Sequence, residues 1–76
     1  MNEIKKEHIT EFKRCTTMLD NLIKKIRSYH PNIEYYVADG EINLMKGPSH
    51  TGPRDIKCPE NVIRSVKISY MDCGAW

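Results

Sequence analysis

No apolar run in the chain approaches the roughly 20 residues that a membrane span requires, and no signal-peptide core follows the charged start at Met1. The sequence therefore predicts a soluble, cytoplasmic protein without a membrane partner. Cysteine is scarce and odd in number, with only Cys15, Cys58 and Cys73. Cys15 falls on an apolar helical stripe, where a free thiol acts as a small hydrophobe, so no disulfide framework is expected. Close ligand pairs such as C-x-x-C or H-x-x-x-H are missing: His8, His30, His50, Cys58 and Cys73 stand far apart, which argues against a metal site. The net charge is only +2, too small to signal nucleic-acid binding by itself. No repeat, low-complexity tract or interdomain linker is present.

Seventy-six residues form one domain, and a domain of this size buries only about 60% of the surface its unfolded chain exposes. A lone core is marginal, so further support is required. With disulfides and metals set aside, oligomerisation remains.

The surface for it is legible. His8, Phe12, Cys15, Leu19, Leu22, Ile26 and Tyr29 recur at alternating spacings of four and three, which draws a narrow seam along one helical face. Ile9, Met18 and Ile23 widen it. Phe12, Leu19, Leu22 and Ile26 are the candidate interface residues, and the seam exceeds what a small sheet can cover, pointing to a homo-oligomer or a partner. Lys5, Lys6, Lys13, Arg14, Lys24, Lys25 and Arg27 load the helix with positive charge, read as a solvated face opposite the stripe. His8 on the seam reads as partly buried and structural, and His30 as a helix-terminal residue. Asn2 is the expected cap, Glu3 and Glu7 suit the N-terminal end of the dipole, and Pro31 ends the helix, giving a span of about 2–29.

Ile33 to Ala38 is β-branched and aromatic, Asp39-Gly40 is a two-residue hairpin signal, and Glu41 to Lys46 supplies the return strand. Ile33, Tyr35 and Val37 share one face and are expected beneath the helix. Gly47 to Pro59 reads as a long loop because of its density of Gly-Pro and Cys-Pro breakers. Val62 to Tyr70 alternates Val66, Ile68 and Tyr70 against Ser65, Lys67 and Ser69, a third strand with Val66, Ile68 and Tyr70 on its buried face. The fold class predicted is α+β: one long N-terminal helix packed on a three-stranded antiparallel sheet over about 33–70, with a tail at 71–76.

The loop gathers Lys46, Ser49, His50, Thr51 and Arg54 around two glycines, a set that can hold a phosphate through backbone amides, hydroxyls and a two-pronged guanidinium contact. It lacks the G-x-x-x-x-G-K-[ST] order of a nucleotide-binding loop. The alternative is a solvated crossover stiffened by prolines. A nucleophilic centre could be drawn from Cys58, Cys73 or Ser49 with His50, but catalysis needs a group orienting the base and a water-excluding cleft, and a three-stranded domain offers little concavity, so no catalytic residue and no cofactor are assigned; a small enzyme using His50 in general acid–base work is the catalytic alternative. Tyr35 and Tyr36 must point to opposite faces, one core and one displayed. Trp76 either folds back onto its own core or fills a pocket on a neighbouring chain.

The segment Asn43-Leu44-Met45-Lys46-Gly47-Pro48-Ser49-His50, with Pro59-Glu60-Asn61-Val62-Ile63 and the ending Gly74-Ala75-Trp76, resembles small accessory proteins of tailed bacteriophages and prophages. The resemblance covers the C-terminal half. Cys73 departs from the glycine-rich ending of that pattern. Membership would imply an early protein in the host cytoplasm, of a class in which many members block host enzymes or defence systems by binding a protein or sequestering a nucleotide signal. The predicted function is accordingly a non-catalytic inhibitor that occupies a host protein. The alternatives are a sponge for a small phosphorylated ligand held by the loop and a nucleic-acid-binding module using the basic helix face.

Overall fold

The computed structural model describes residues 3–76. Helix α1 spans Lys6–Arg27, shorter at both ends than expected, and the Asn2 cap lies outside the described residues. Lys5 occupies the N-cap position in extended geometry with no side-chain capping hydrogen bond, its ammonium instead lying 4.0 Å from Glu7 Oε1. Glu7 in the first turn and Lys24, Lys25 and Arg27 in the last complement the helix dipole. At the far end the Ser28 hydroxyl donates to the Lys25 carbonyl at 2.6 Å and the Arg27 guanidinium donates to the Pro31 carbonyl at 2.7 Å. These bonds satisfy carbonyls at and beyond the point where Pro31 forbids continuation.

Strands β1 (Glu34–Ala38) and β2 (Glu41–Met45) form the antiparallel hairpin. Asp39 and Gly40 both take positive φ, 54° and 75°, the two-residue turn whose twist matches that of the flanking strands. Two further short strands, β3 (His50–Thr51) and β4 (Ile56–Lys57), pair with each other. A 3₁₀ turn at Pro59–Asn61 follows, and β5 (Val62–Lys67) lies along the other side of β2. The main sheet thus has the order β1-β2-β5.

The stretch read as a structureless loop therefore contains a second, two-stranded sheet. Its prolines and glycines sit at the tip and the exits of the ladder rather than within it. Gly52 at φ 79° and Asp55 at φ 53° close the tip, so the breakers shape a small hairpin instead of forbidding one.

The pairing fixes two faces. Tyr35, Leu44 and Arg64 share one face with Val37, Ile42 and Val66, while Tyr36, Asn43 and Ser65 lie on the other. A bulge between Leu44 and Met45 brings Met45 opposite Val62.

Burial is divided between the faces. Ala38, Asn43 and Met45 on the second face are buried, as is Cys58 after β4, and Ile33 just ahead of β1 is buried as expected, whereas Val37, expected beneath the helix, is exposed. The tail crosses the second-face side of the hairpin turn, where Asp39 N–H donates to the Gly74 carbonyl at 2.8 Å and Gly40 N–H donates to Cys73 Sγ at 3.0 Å. Asn43 is satisfied where it lies: its Nδ2 donates to the Tyr36 carbonyl at 2.9 Å and its Oδ1 accepts from the Ser65 hydroxyl. Val66, Ile68 and Tyr70 are exposed rather than buried, because the tail and the β3–β4 unit cover the face opposite to theirs.

The helix does not lie across the sheet. Only Ile23 and Ile26 of α1 are half-buried, and every other described helical residue is exposed. The Tyr35 hydroxyl donates to the Leu19 carbonyl at 2.8 Å, which turns the Tyr35–Val37–Val66 face toward the C-terminal part of α1. The N-terminal part of α1 projects. The molecule measures 47 × 29 × 19 Å with a radius of gyration of 15.1 Å, against about 11 Å for a compact chain of this length. Its accessible surface is 6523 Å², ~1,700 Å² above that of a compact monomer of equal size. Among the described residues no helix is long and apolar enough to cross a membrane.

Candidate functional site

Two regions compete for the site: the loop between β2 and β5, and the apolar surface of α1 and the open sheet face.

The loop is held at its base by backbone. Lys46 N–H donates to the Asn61 carbonyl at 2.8 Å and Cys58 N–H donates to the Ser49 carbonyl at 2.7 Å. The Asn61 side chain folds over Gly47, where an added Cβ would meet Asn61 Nδ2 at 3.0 Å, and donates to the Pro48 carbonyl at 2.9 Å. Of the five residues that composition groups together, Ser49 and His50 are in contact. Lys46 is exposed at this base, whereas Arg54 is exposed in the tip that closes the β3–β4 ladder, at the opposite end. Thr51 is exposed on the ladder between them.

His50 and Ser49 face a different neighbourhood. The Ser49 hydroxyl lies 3.1 Å from His50 Nδ1, and His50 Nε2 lies 2.8 Å from the Trp76 carbonyl oxygen. With that bond made by Nε2–H, Nδ1 is the acceptor for Ser49. Both ring nitrogens are engaged, and Trp76 and His50 each pack edge-on or tilted against Tyr36 or one another, with Tyr36 and Trp76 centroids 4.8 Å apart. Of the two places open to Trp76, its own core is the one it takes. Neither Tyr35 nor Tyr36 is displayed: Tyr35 reaches the helix and Tyr36 carries the aromatic cluster. Sequence spacing gave no notice of that cluster, since its members stand 14 and 26 residues apart.

The cysteines are all free. Burial, followed by the Glu60 carboxylate, pushes the Cys58 thiol above its ordinary value, which keeps it protonated and weakly nucleophilic. Among the described residues no group of three or more His, Cys, Asp or Glu is placed to hold a metal ion.

The second region is larger. Ile9, Phe12, Met18, Leu19 and Leu22 are exposed on α1, with Phe12 at 71%, and Val37, Ile63, Val66 and Ile68 are exposed on or beside the sheet. His8, expected to be partly buried, is exposed as well. An open apolar groove on the helix is lined by Cys15, Met18, Leu19, Asn21, Leu22 and Lys25. Ile26 is the one predicted interface residue on the helix that is half-buried. Apolar surface of this extent is unusual on a small chain. In comparison with known proteins, the chain matches no family model, no curated protein and no solved structure.

Proposed function

We propose that the chain is a small non-catalytic binding protein that inhibits a host factor or defence system by occupying a protein partner. The observation that carries this reading is the uncovered apolar surface of α1, with Val37 and Val66 exposed on the sheet, set against a loop whose imidazole is fully engaged. Arg64 on that sheet face favours a partner whose apolar patch is bordered by acidic groups. The resemblance to phage accessory proteins supplies the class of target, a host protein in the cytoplasm.

The test is affinity capture from host lysate with the wild-type chain, a Val37→Asp/Val66→Asp variant and a Lys46→Ala/Arg54→Ala variant. The expected result is one discrete protein retained by the wild type and the loop variant and lost from the sheet-face variant. Retention by the sheet-face variant that is lost with the loop charges, or a phosphorylated nucleotide as the sole companion, transfers the function to the loop as a nucleotide sponge. Recovery of nucleic acid with strong salt dependence transfers it to the basic helix face.

A further inference from the structure

We infer that the stripe on α1 is occupied by a second copy of this chain, paired antiparallel through a defined register. This rests on the reading of the apolar surface as a protein interface and adds to it which part is taken by self-association. Four observations converge on it.

The first is area. The chain exposes ~1,700 Å² more than a compact monomer of its size, while a standard interface removes about 800 Å² from each partner. The surplus is large enough for one interface on the helix and a second on the sheet.

The second is shape. Cys15, Met18, Leu19 and Leu22, at positions i, i+3, i+4 and i+7, line the groove on α1. Four residues at that spacing form the hole that receives one side chain of a facing helix. In an antiparallel pair with its two-fold axis beside Thr17, Phe12 faces Leu22 of the second copy, Cys15 faces Leu19 and His8 faces Ile26. The small Cys15 side chain then enters the hole centred on Leu19, and the large Leu19 meets the small Cys15 in return. Large and small alternate across the axis.

The third is charge. In this register Glu11 flanks Lys25 of the second copy on one side of the seam, twice by symmetry, with Met18 meeting Met18 between them. A parallel pair brings Glu11 to Thr16 and Lys25 to His30, so both charges lose their complement, and it aligns the two helix dipoles unfavourably.

The fourth is continuity. On the other side of the seam Ile9 comes to Ile23, which is only half-buried in its own chain. The projecting N-terminal half of each helix is therefore laid beside the half that carries the sheet of its partner.

Sedimentation equilibrium on the full chain is expected to give a dimer. Glu11→Lys and Lys25→Glu should each weaken it by about fivefold or more at low salt, and the double variant should recover most of the wild-type affinity. Glu11 and Lys25 are about 21 Å apart along one helix, so recovery cannot arise within a chain. Thermal melts of the three variants exclude a loss of folding as the cause. Under mild oxidation with copper phenanthroline, Leu19→Cys should cross-link through positions 15 and 19, whereas the wild type should form no Cys15–Cys15 bond.

A monomer at all concentrations, a double variant as weak as the singles, or a wild-type Cys15–Cys15 disulfide overturns the proposal. A monomer that still captures its partner through Val37 and Val66 leaves the functional reading intact. An antiparallel dimer that captures nothing overturns that reading while the pairing stands.

Discussion

The Tyr35 hydroxyl donates to the Leu19 carbonyl at 2.8 Å, joining the first strand to a helix that otherwise touches the sheet little. Leu19 O already belongs to the helical ladder, so the bond adds a second donor to one carbonyl. It fixes where the helix leaves the sheet.

Replacing that phenol should loosen the junction. Tyr35→Phe removes one hydrogen bond and is expected to destabilise the fold by about 1 kcal/mol, with a larger loss of amide protection in α1 than in β2. Burial, and after it the Asp20 carboxylate, raise the Tyr35 phenol above its ordinary value of 10.0. The folded chain then holds this proton more tightly than the unfolded one. The associated stability is complete below about pH 10 and is lost as pH climbs through the raised folded value. An alkaline denaturation series should show a steeper decline in the wild type than in Tyr35→Phe, which keeps only the loss due to the raised Cys58 thiol.

Asn43 is the polar centre of the core. Asn43→Leu keeps the volume but leaves the Tyr36 carbonyl and the Ser65 hydroxyl without their partner, and should destabilise by about 2–3 kcal/mol in chemical denaturation. A variant as stable as the wild type would show that water replaces the amide.

Trp76 and His50 act together as a closure over Tyr36. Trp76→Ala should destabilise by about 2 kcal/mol, roughly half the value for a fully buried aromatic, because Trp76 is half-buried. His50→Ala should remove about 1 kcal/mol through the lost bond to the Trp76 carbonyl. The two losses should sum to more than the double variant shows, since either change frees the same tail. If His50→Ala alters ligand affinity at unchanged stability, the imidazole belongs to a binding site instead.

Gly47 and Gly52 resist side chains for different reasons. Gly52 needs its positive φ, so Gly52→Ala should cost about 1 kcal/mol through backbone strain. Gly47 is crowded by Asn61 at 3.0 Å, so Gly47→Ala should be harmful until Asn61→Gly clears the space. Thermal melts of the single and paired variants separate the two causes.

The hairpin was legible because Asp39-Gly40 permits the one turn that joins these strands, and α1 was legible because its apolar spacing holds over 22 residues. The choice of sheet face was not. Val66, Ile68 and Tyr70 look more apolar than Ser65 and Lys67, yet the covering group, Trp76, arrives from a distant position and closes on Tyr36. The one signal was Asn43, a polar residue amid Ile42, Leu44 and Met45, which marks a buried network rather than a wet face. The loop residues were grouped by sequence proximity, which does not reveal that a two-residue ladder sets Lys46 at its base and Arg54 at its tip. Whether an apolar stripe meets its own sheet or another chain depends on the angle at which the helix leaves, and spacing carries no information on that angle.

The sparse enclosure of α1 also divides the thermodynamics of the molecule. The sheet half unites its tail, hairpin and small ladder through Asn43, Met45 and Cys58, and opens as one unit. The helix has only its last turns and the Tyr35 bond to couple it to that unit, so most of its amides open by fraying from the Lys6 end at little free-energy cost. Unfolding exposes little apolar surface that was not already wet. The heat-capacity increment and the denaturant slope should therefore both fall below the norm for a chain of this length, about 12–15 cal/mol/K per residue in the first case. A single chain is in this sense half folded in energetic terms while fully formed in shape, and anything that grips the stripe changes how the whole molecule melts.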